Sequence, residues 1–251
     1  MIEYTERSKF VGNLRIGVTY FHEPYITPHI DIIREFQYEK KQGVSAPFWT
    51  LVIDLTEPED AIFVRFAKNT KYEINRAVKQ DNIVIETLDA RQHFESFCAF
   101  FDEFAGTKNL EPIDRKEIDR LVAHNMFVVR MASYQNEPLV YHTYITANGR
   151  ARLAQSASLF RESAENDFRS MVGRANRLLH WDDIRYFKTQ GYKIYDLGGI
   201  NKDTSNTETL AINKFKECFG GGEVMEYKSL IAVSAKGLLY LWAKKIAGKT
   251  L

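Results

Sequence analysis

The dipeptide Asn148-Gly149 constrains this chain more than any other feature. Both residues accept positive φ, so the pair closes a type I′ turn between two strands. Residues 139–146 precede it and residues 150–160 follow it. Residues 126–134 form a further strand upstream, joined through the turn Gln135-Asn136-Glu137-Pro138. Three strands in succession make an antiparallel meander.

The elements around the meander follow from period and punctuation. Phe48-Trp49-Thr50-Leu51-Val52-Ile53-Asp54-Leu55 is β-branched and aromatic, bounded by Pro47 and Thr56, and reads as a buried strand. Thr56-Glu57-Pro58-Glu59 predicts a helix start with a capping box, and the helix is expected to run to about residue 79. Asp81-Asn82 ends it, and residues 83–88 form a strand. Helices are expected over 91–105 and from Asp114 to about residue 124. A polar loop over 161–176 leads into a helix over 177–190 with Gly191 as C-cap. Residues 192–197 read as a strand, with a turn at Gly198-Gly199. A helix over 207–219, a strand over 224–233 and a basic helix over 235–251 complete the chain. Residues 1–47 alternate short aromatic stretches with turn signals and give no element order. From residue 83 the order is β-α-α-β-β-β-α-β-α-β.

Composition narrows the function. The 251 residues suit one large domain or two small ones. Lys plus Arg is 34 and Asp plus Glu is 33, which argues against a general nucleic-acid binder but leaves room for a local basic patch. The two cysteines, Cys98 and Cys218, cannot build a disulfide scaffold or a four-cysteine zinc site, and fit a reducing cytoplasm. Cys218 reads as a packed small hydrophobe. His142 and His180 fall in no metal-ligand spacing, so no metal is expected. No apolar run approaches a membrane span, and residues 1–10 lack the apolar core of a signal peptide.

Three stretches in order resemble the Fem-type aminoacyltransferases and their acetyltransferase relatives, the FemAB-like branch of the GNAT superfamily. The strand at 49–55 with Lys71-Tyr72-Glu73-Ile74-Asn75-Arg76-Ala77 is similar to the family's strand and "R-x-x-I-x-R/K-A" segment, with Lys71 in place of Arg. Asn176-Arg177-Leu178-Leu179-His180-Trp181, with Tyr195-Asp196-Leu197-Gly198-Gly199-Ile200, is the second. Phe215-Lys216-Glu217-Cys218-Phe219-Gly220-Gly221 is similar to "F-K-x-x-F-G-G". The resemblance covers about residues 48–233. It implies an α/β fold, a GNAT-like mixed and mostly antiparallel sheet flanked by helices. The domains expected are an N-terminal extension over 1–82, an acyltransferase domain over 83–234 and a C-terminal basic helix over 235–251. Fem-type enzymes usually carry two such domains, whereas one is complete here.

The implied activity is N-acyl transfer, with acetyl-CoA or another acyl-CoA as donor and an amino-sugar or nucleotide-sugar of cell-surface polysaccharide as acceptor. Two alternatives stay open: an aminoacyl-tRNA donor in a peptidoglycan-type reaction, and a GNAT module that binds without catalysis. Transfer to an amine needs proton removal, a donor to the developing oxyanion and an anion site for the donor's phosphates. The family places a lysine like Lys216 at the reaction centre; the bland reading is a surface lysine before a C-cap. Asp196 reads as a general base or amine holder, or as an aspartate fixing the Gly198-Gly199 turn. Arg169, Gly173, Arg174, Ala175 and Asn176 stand near the family's phosphate signature, with one residue too many between Arg169 and Gly173; the alternative is an ordinary arginine-bearing loop. Lys71, Arg76, Tyr195, Gly199 and Phe215 are assigned to substrate binding, although the basic helix side also reads as merely solvated. For residues 235–251, with four lysines and no acid, two readings stand. The helix docks on the core with Trp242 buried, or it lies on an anionic membrane as a peripheral contact.

Overall fold

The computed structural model describes residues 1–25, 29–108, 110–158, 166–203, 205 and 207–248. They form two compact units. The first comprises 1–50, 199–202 and 223–251, and the second 51–198 and 203–222. The division falls inside two strands, β4 (Val44–Asp54) and β9 (Ile194–Ile200). Residues 51–82 thus belong to the same unit as the meander.

The stretch that gave no reading, 1–47, contains β1 (Ile2–Ser8), β2 (Gly12–Tyr20) and β3 (Ile32–Tyr38). In the first unit β1 pairs antiparallel with β2, β2 parallel with β3, and β3 antiparallel with β10 (Gly222–Ala232). Ser234 caps α7 (Ala235–Ile246): its Oγ accepts the Gly237 N–H at 3.0 Å and donates to Asp31 Oδ1 at 2.7 Å.

Along the chain, the element order from β5 (Val84–Leu88) onward is the expected one. It runs β5, α3 (Ala90–Lys108), α4 (Arg115–Ala123), β6 (Phe127–Tyr134), β7 (Glu137–Ala147), β8 (Arg150–Ser158), α5 (Asn166–Thr189), β9, α6 (Thr207–Glu217), then β10. β5 to β8 pair antiparallel in sequence, and β8 pairs parallel with β9 around α5. The sheet is mixed and mostly antiparallel, flanked by helices. Asn148 and Gly149 have φ of 45° and 72°, as the type I′ turn requires. Asp114 caps α4 by accepting the Glu117 N–H. Val172, Ala175 and Leu179 recur at helical spacing along α5 and pack on Ala132, Leu139 and Val140 of the meander.

Five expectations are corrected. The single helix over 56–79 is two helices, α1 (Glu59–Val64) and α2 (Lys68–Arg76), followed by a π-helical turn Ala77–Asp81. The interruption carries a tertiary bond, the Ala67 N–H to the Cys218 carbonyl at 2.9 Å. Gly220 lies against it with φ of 68°, and a Cβ there would sit 2.7 Å from Arg65 Cβ. No capping box forms: Pro58 is the N-cap without a side-chain bond, and Thr56 donates instead to Asp54. The polar loop over 161–176 is already helical from Asn166; residues 159–165 lie outside the described residues. Gly198 and Gly199 are not a turn but lie inside β9. Gly198 has φ of 79°, and a Cβ would be 2.9 Å from the Leu153 carbonyl oxygen, so the strand irregularity needs glycine there. Trp242 is 62% exposed rather than buried. Residues 249–251 of the expected terminal helix lie outside the described residues.

Candidate functional site

Two polar centres lie in the second unit. The first gathers at β9 and the end of α6. Asp196 is fully buried; its Oδ2 accepts from Arg150 Nε at 3.0 Å and Nη2 at 2.6 Å, and its Oδ1 accepts the Gly198 N–H at 2.8 Å. Asp196 therefore holds the irregular strand at Gly198, with Arg150 as its counterion. Lys216 ends α6 with its Nζ 3.6 Å from the position of a Gly198 Cβ. Desolvation lowers the Lys216 ammonium to about 8; the Arg152 charge adds to this and Asp196 opposes it. The group stays mostly protonated at neutral pH, as a half-buried cation beside strand backbone.

The second centre joins β7, α5 and β9. Its anchor is Asp183, fully buried and neutralised by Arg130, whose Nε donates to Oδ1 at 2.8 Å. Arg130 also bonds Thr87 and Asp182. Tyr144 donates to Asp183 Oδ2 at 2.6 Å. Its oxygen then accepts from Tyr195 at 2.8 Å, and the Tyr195 oxygen accepts from His180 Nδ1 at 2.7 Å. The carboxylate thus sets every proton along the chain, and His180 keeps its lone pair on Nε2. Burial pushes both tyrosines well up, with Asp183 adding to the effect, so both stay protonated. Burial pushes His180 well down, helped by the charges of His142, Lys216 and Arg177, so it is neutral. His142 Nδ1 lies 2.7 Å from Asp183 Oδ2, and its Nε2 lies 2.9 Å from the Asn176 side-chain amide. The rings of His142 and His180 are 4.2 Å apart. Phe215 and Phe219 of the α6 segment pack on His180 at 5.6 and 4.7 Å, which brings the two centres together.

Of the residues singled out in the sequence, Asn176, Tyr195, Asp196, Phe215 and Lys216 converge here. The others lie elsewhere. Arg174 is buried and bidentate to Asp81 at 2.5 and 2.9 Å, tying α5 to the π-helical turn. Ala175 is core, and the Gly173 carbonyl accepts from Arg177 at 2.9 Å within the helix. Gly173, Arg174, Ala175 and Asn176 lie inside α5, where their amides face along a helix, and not in the expected loop. Arg169 is exposed. Lys71 Nζ bonds the Val64 carbonyl, and Arg76 bonds Gln80. Gly199 falls in the first unit, where a Cβ would meet the Phe48 ring at 3.0 Å.

The sequence reading missed Arg130, His142, Tyr144, His180 and Asp183. Two spacings carried the signal. His142 and Tyr144 alternate onto one side of a strand, and His180 and Asp183 stand one helical turn apart. The two histidines are not isolated. With Asp183 they place three ligand atoms within 4.8 Å of one another, a set that could receive a metal ion; each is already hydrogen-bonded within the protein. Among the described residues no helix is long and apolar enough to cross a membrane.

No family model matches the sequence, and no curated protein matches it. Solved structures do. FemX is similar over 77% of this chain, with a TM-score of 0.59 and 13% identity. The C-terminal DUF2156 domain of a protein described as a lysylphosphatidylglycerol synthetase, from Agrobacterium fabrum, is similar over 87%, with a TM-score of 0.53 and 12% identity. The chain spans 63% of the length of the FemX structure and 74% of the synthetase domain. At these identities the likeness concerns architecture alone, and the chain shares the fold of these two structures.

Proposed function

We propose that this chain is an N-acyltransferase that uses an acyl-CoA such as acetyl-CoA and acylates an amino group of a sugar or sugar-nucleotide. The observation that carries the reading is Lys216, a cation held half-buried against the Gly198 backbone. The amine nitrogen attacks the thioester carbonyl carbon, the carbonyl oxygen gains negative charge, the C–S bond breaks, and the thiolate leaves. The nitrogen loses one proton and the thiolate gains one. A fixed ammonium in a poorly solvated site stabilises that oxygen and the thiolate more than it stabilises the neutral thioester. Asp196 and Arg150 hold the strand on which this occurs. Tyr195 is locked from both sides by hydrogen bonds, and Phe215 packs on His180 beside it. The sequence resemblance to Fem-type aminoacyltransferases supports a second reading, in which the donor is an aminoacyl ester of tRNA.

Calorimetry with acetyl-CoA and with charged tRNA separates the readings, followed by thiol release from acetyl-CoA in the presence of amino-sugars. Acetyl-CoA binding with amine-dependent thiol release is expected. Binding of charged tRNA alone would move the assignment to the second reading. Binding of neither would overturn both in favour of a non-catalytic module.

A further inference from the structure

Helix α7 rests on the first unit through Gly237 and Tyr240, which are buried. Its opposite side is apolar and open. Leu238 is 64% exposed, Leu239 52%, Trp242 62% and Ile246 66%. These positions, i, i+1, i+4 and i+8, form a stripe of about 100° along the whole helix. Four large apolar side chains in one contiguous exposed stripe are unusual on a surface that meets only water.

The charges beside the stripe indicate what covers it. Lys245 is exposed and stands about 20° from the Leu238 edge; Lys236, half-buried with its Nζ donating one hydrogen to the Asn13 carbonyl, stands about 60° beyond the Leu239 edge. Lys244 follows on the side of Tyr240, 5.9 Å from its ring centroid. Residues 235–248 contain no acid. An apolar stripe bordered on both sides by lysine matches the depth profile of an anionic bilayer surface. The rings and aliphatic groups reach the acyl boundary while the ammonium groups stay level with lipid phosphates. A water-facing helix would instead mix acids among its lysines, and an interface with a second copy would set like charge against like charge.

We propose that the exposed stripe of α7 is a docking surface for an anionic phospholipid bilayer. Leu238, Leu239, Trp242 and Ile246 enter the interface, and Lys245 and the remaining N–H groups of Lys236 pair with headgroup phosphates. The proposal does not depend on the assignment of the polar centres of the second unit.

The test is co-sedimentation of the full chain with vesicles of phosphatidylcholine alone and of phosphatidylcholine mixed with phosphatidylglycerol, at low and raised salt. Pelleting with the mixed vesicles, lost in salt and absent with pure phosphatidylcholine, is expected. Leu238→Ser with Trp242→Ser should abolish pelleting, and an unchanged melting temperature would show that the fold survives. Lys236→Gln with Lys245→Gln should lower the partition coefficient about 30-fold, about fivefold per lysine. A chain that stays in the supernatant with both lipids, or variants that pellet like the parent, would overturn the proposal. Sedimentation velocity provides a second check: a concentration-dependent dimer that Trp242→Ser dissolves would assign the stripe to a second copy instead.

Discussion

Tyr144 on β7 gives its phenolic hydrogen to Asp183 on α5 across 2.6 Å, with both side chains fully buried. That one bond sets the direction of the next two. It leaves the Tyr144 oxygen to accept from Tyr195, and the Tyr195 oxygen to accept from His180 Nδ1. Removing a link strands a buried donor or acceptor. Tyr195→Phe, which keeps the ring and deletes the bridge, should destabilise the protein by about 1–3 kcal/mol. Urea denaturation measures it, and a loss below about half a kcal/mol would mean that the chain of bonds does not persist in solution.

Arg174 is the buried counterion of Asp81. Arg174→Met leaves Asp81 buried against α5 without its partner and should cost about 3–5 kcal/mol. Changing Asp81→Leu as well should recover much of that loss. A melting temperature unchanged by Arg174→Met, together with weakened acetyl-CoA binding, would restore a ligand-binding role.

Lys216→Ala should lower kcat by roughly 10²–10³ if the ammonium stabilises the developing oxyanion, with no loss of melting temperature. Lys216→Arg keeps a charge and should retain more activity than Lys216→Ala. A stable, fully active Lys216→Ala variant would return this residue to an ordinary helix end.

The depressed Lys216 also marks the pH profile. Its folded value is about 8 and its ordinary value 10.5, so between these limits the unfolded chain binds the extra proton. Stability from this group is therefore lowest below pH 8 and rises as pH climbs toward the ordinary lysine value. Activity has the opposite sign, since the cation is lost above pH 8. Lys216→Met should flatten the stability rise, and Lys216→Arg should move the alkaline fall in rate to higher pH. An alkaline limb that does not move in Lys216→Arg belongs to another group.

His180 acts at the acid end. Folding depresses it, so the unfolded chain takes up a proton near the ordinary histidine value while the folded chain does not. Stability should fall as pH drops below about 6.5, and His180→Gln should remove that slope. Equal slopes in parent and variant, from chemical denaturation at several pH values, would show that His180 is already charged in the fold.

Local chemistry determined much of this protein. Asn148-Gly149 could close only a tight hairpin, Asp114 had a free amide to cap, and Asn82 could stop a helix in the left-handed region with φ of 49°. Period alone separated the meander from the helices around it, because a strand alternates and a helix repeats near every fourth residue. Lys216, Asp196 and Tyr195 were legible through motif resemblance. The rest depended on partners distant in sequence. The helix over 59–76 divides because Ala67 finds the Cys218 carbonyl, 151 positions on, in place of a bond along one continuous helix. Arg174 looked like an anion ligand until Asp81 was brought beside it. His142 and His180 looked isolated because 38 residues of chain separate them, and only the packing of α5 on β7 sets their rings 4.2 Å apart. The solvent exposure of Trp242 was likewise decided in three dimensions: α7 seats Gly237 and Tyr240 on the core, and the angular spacing of a helix then turns its other apolar side outward.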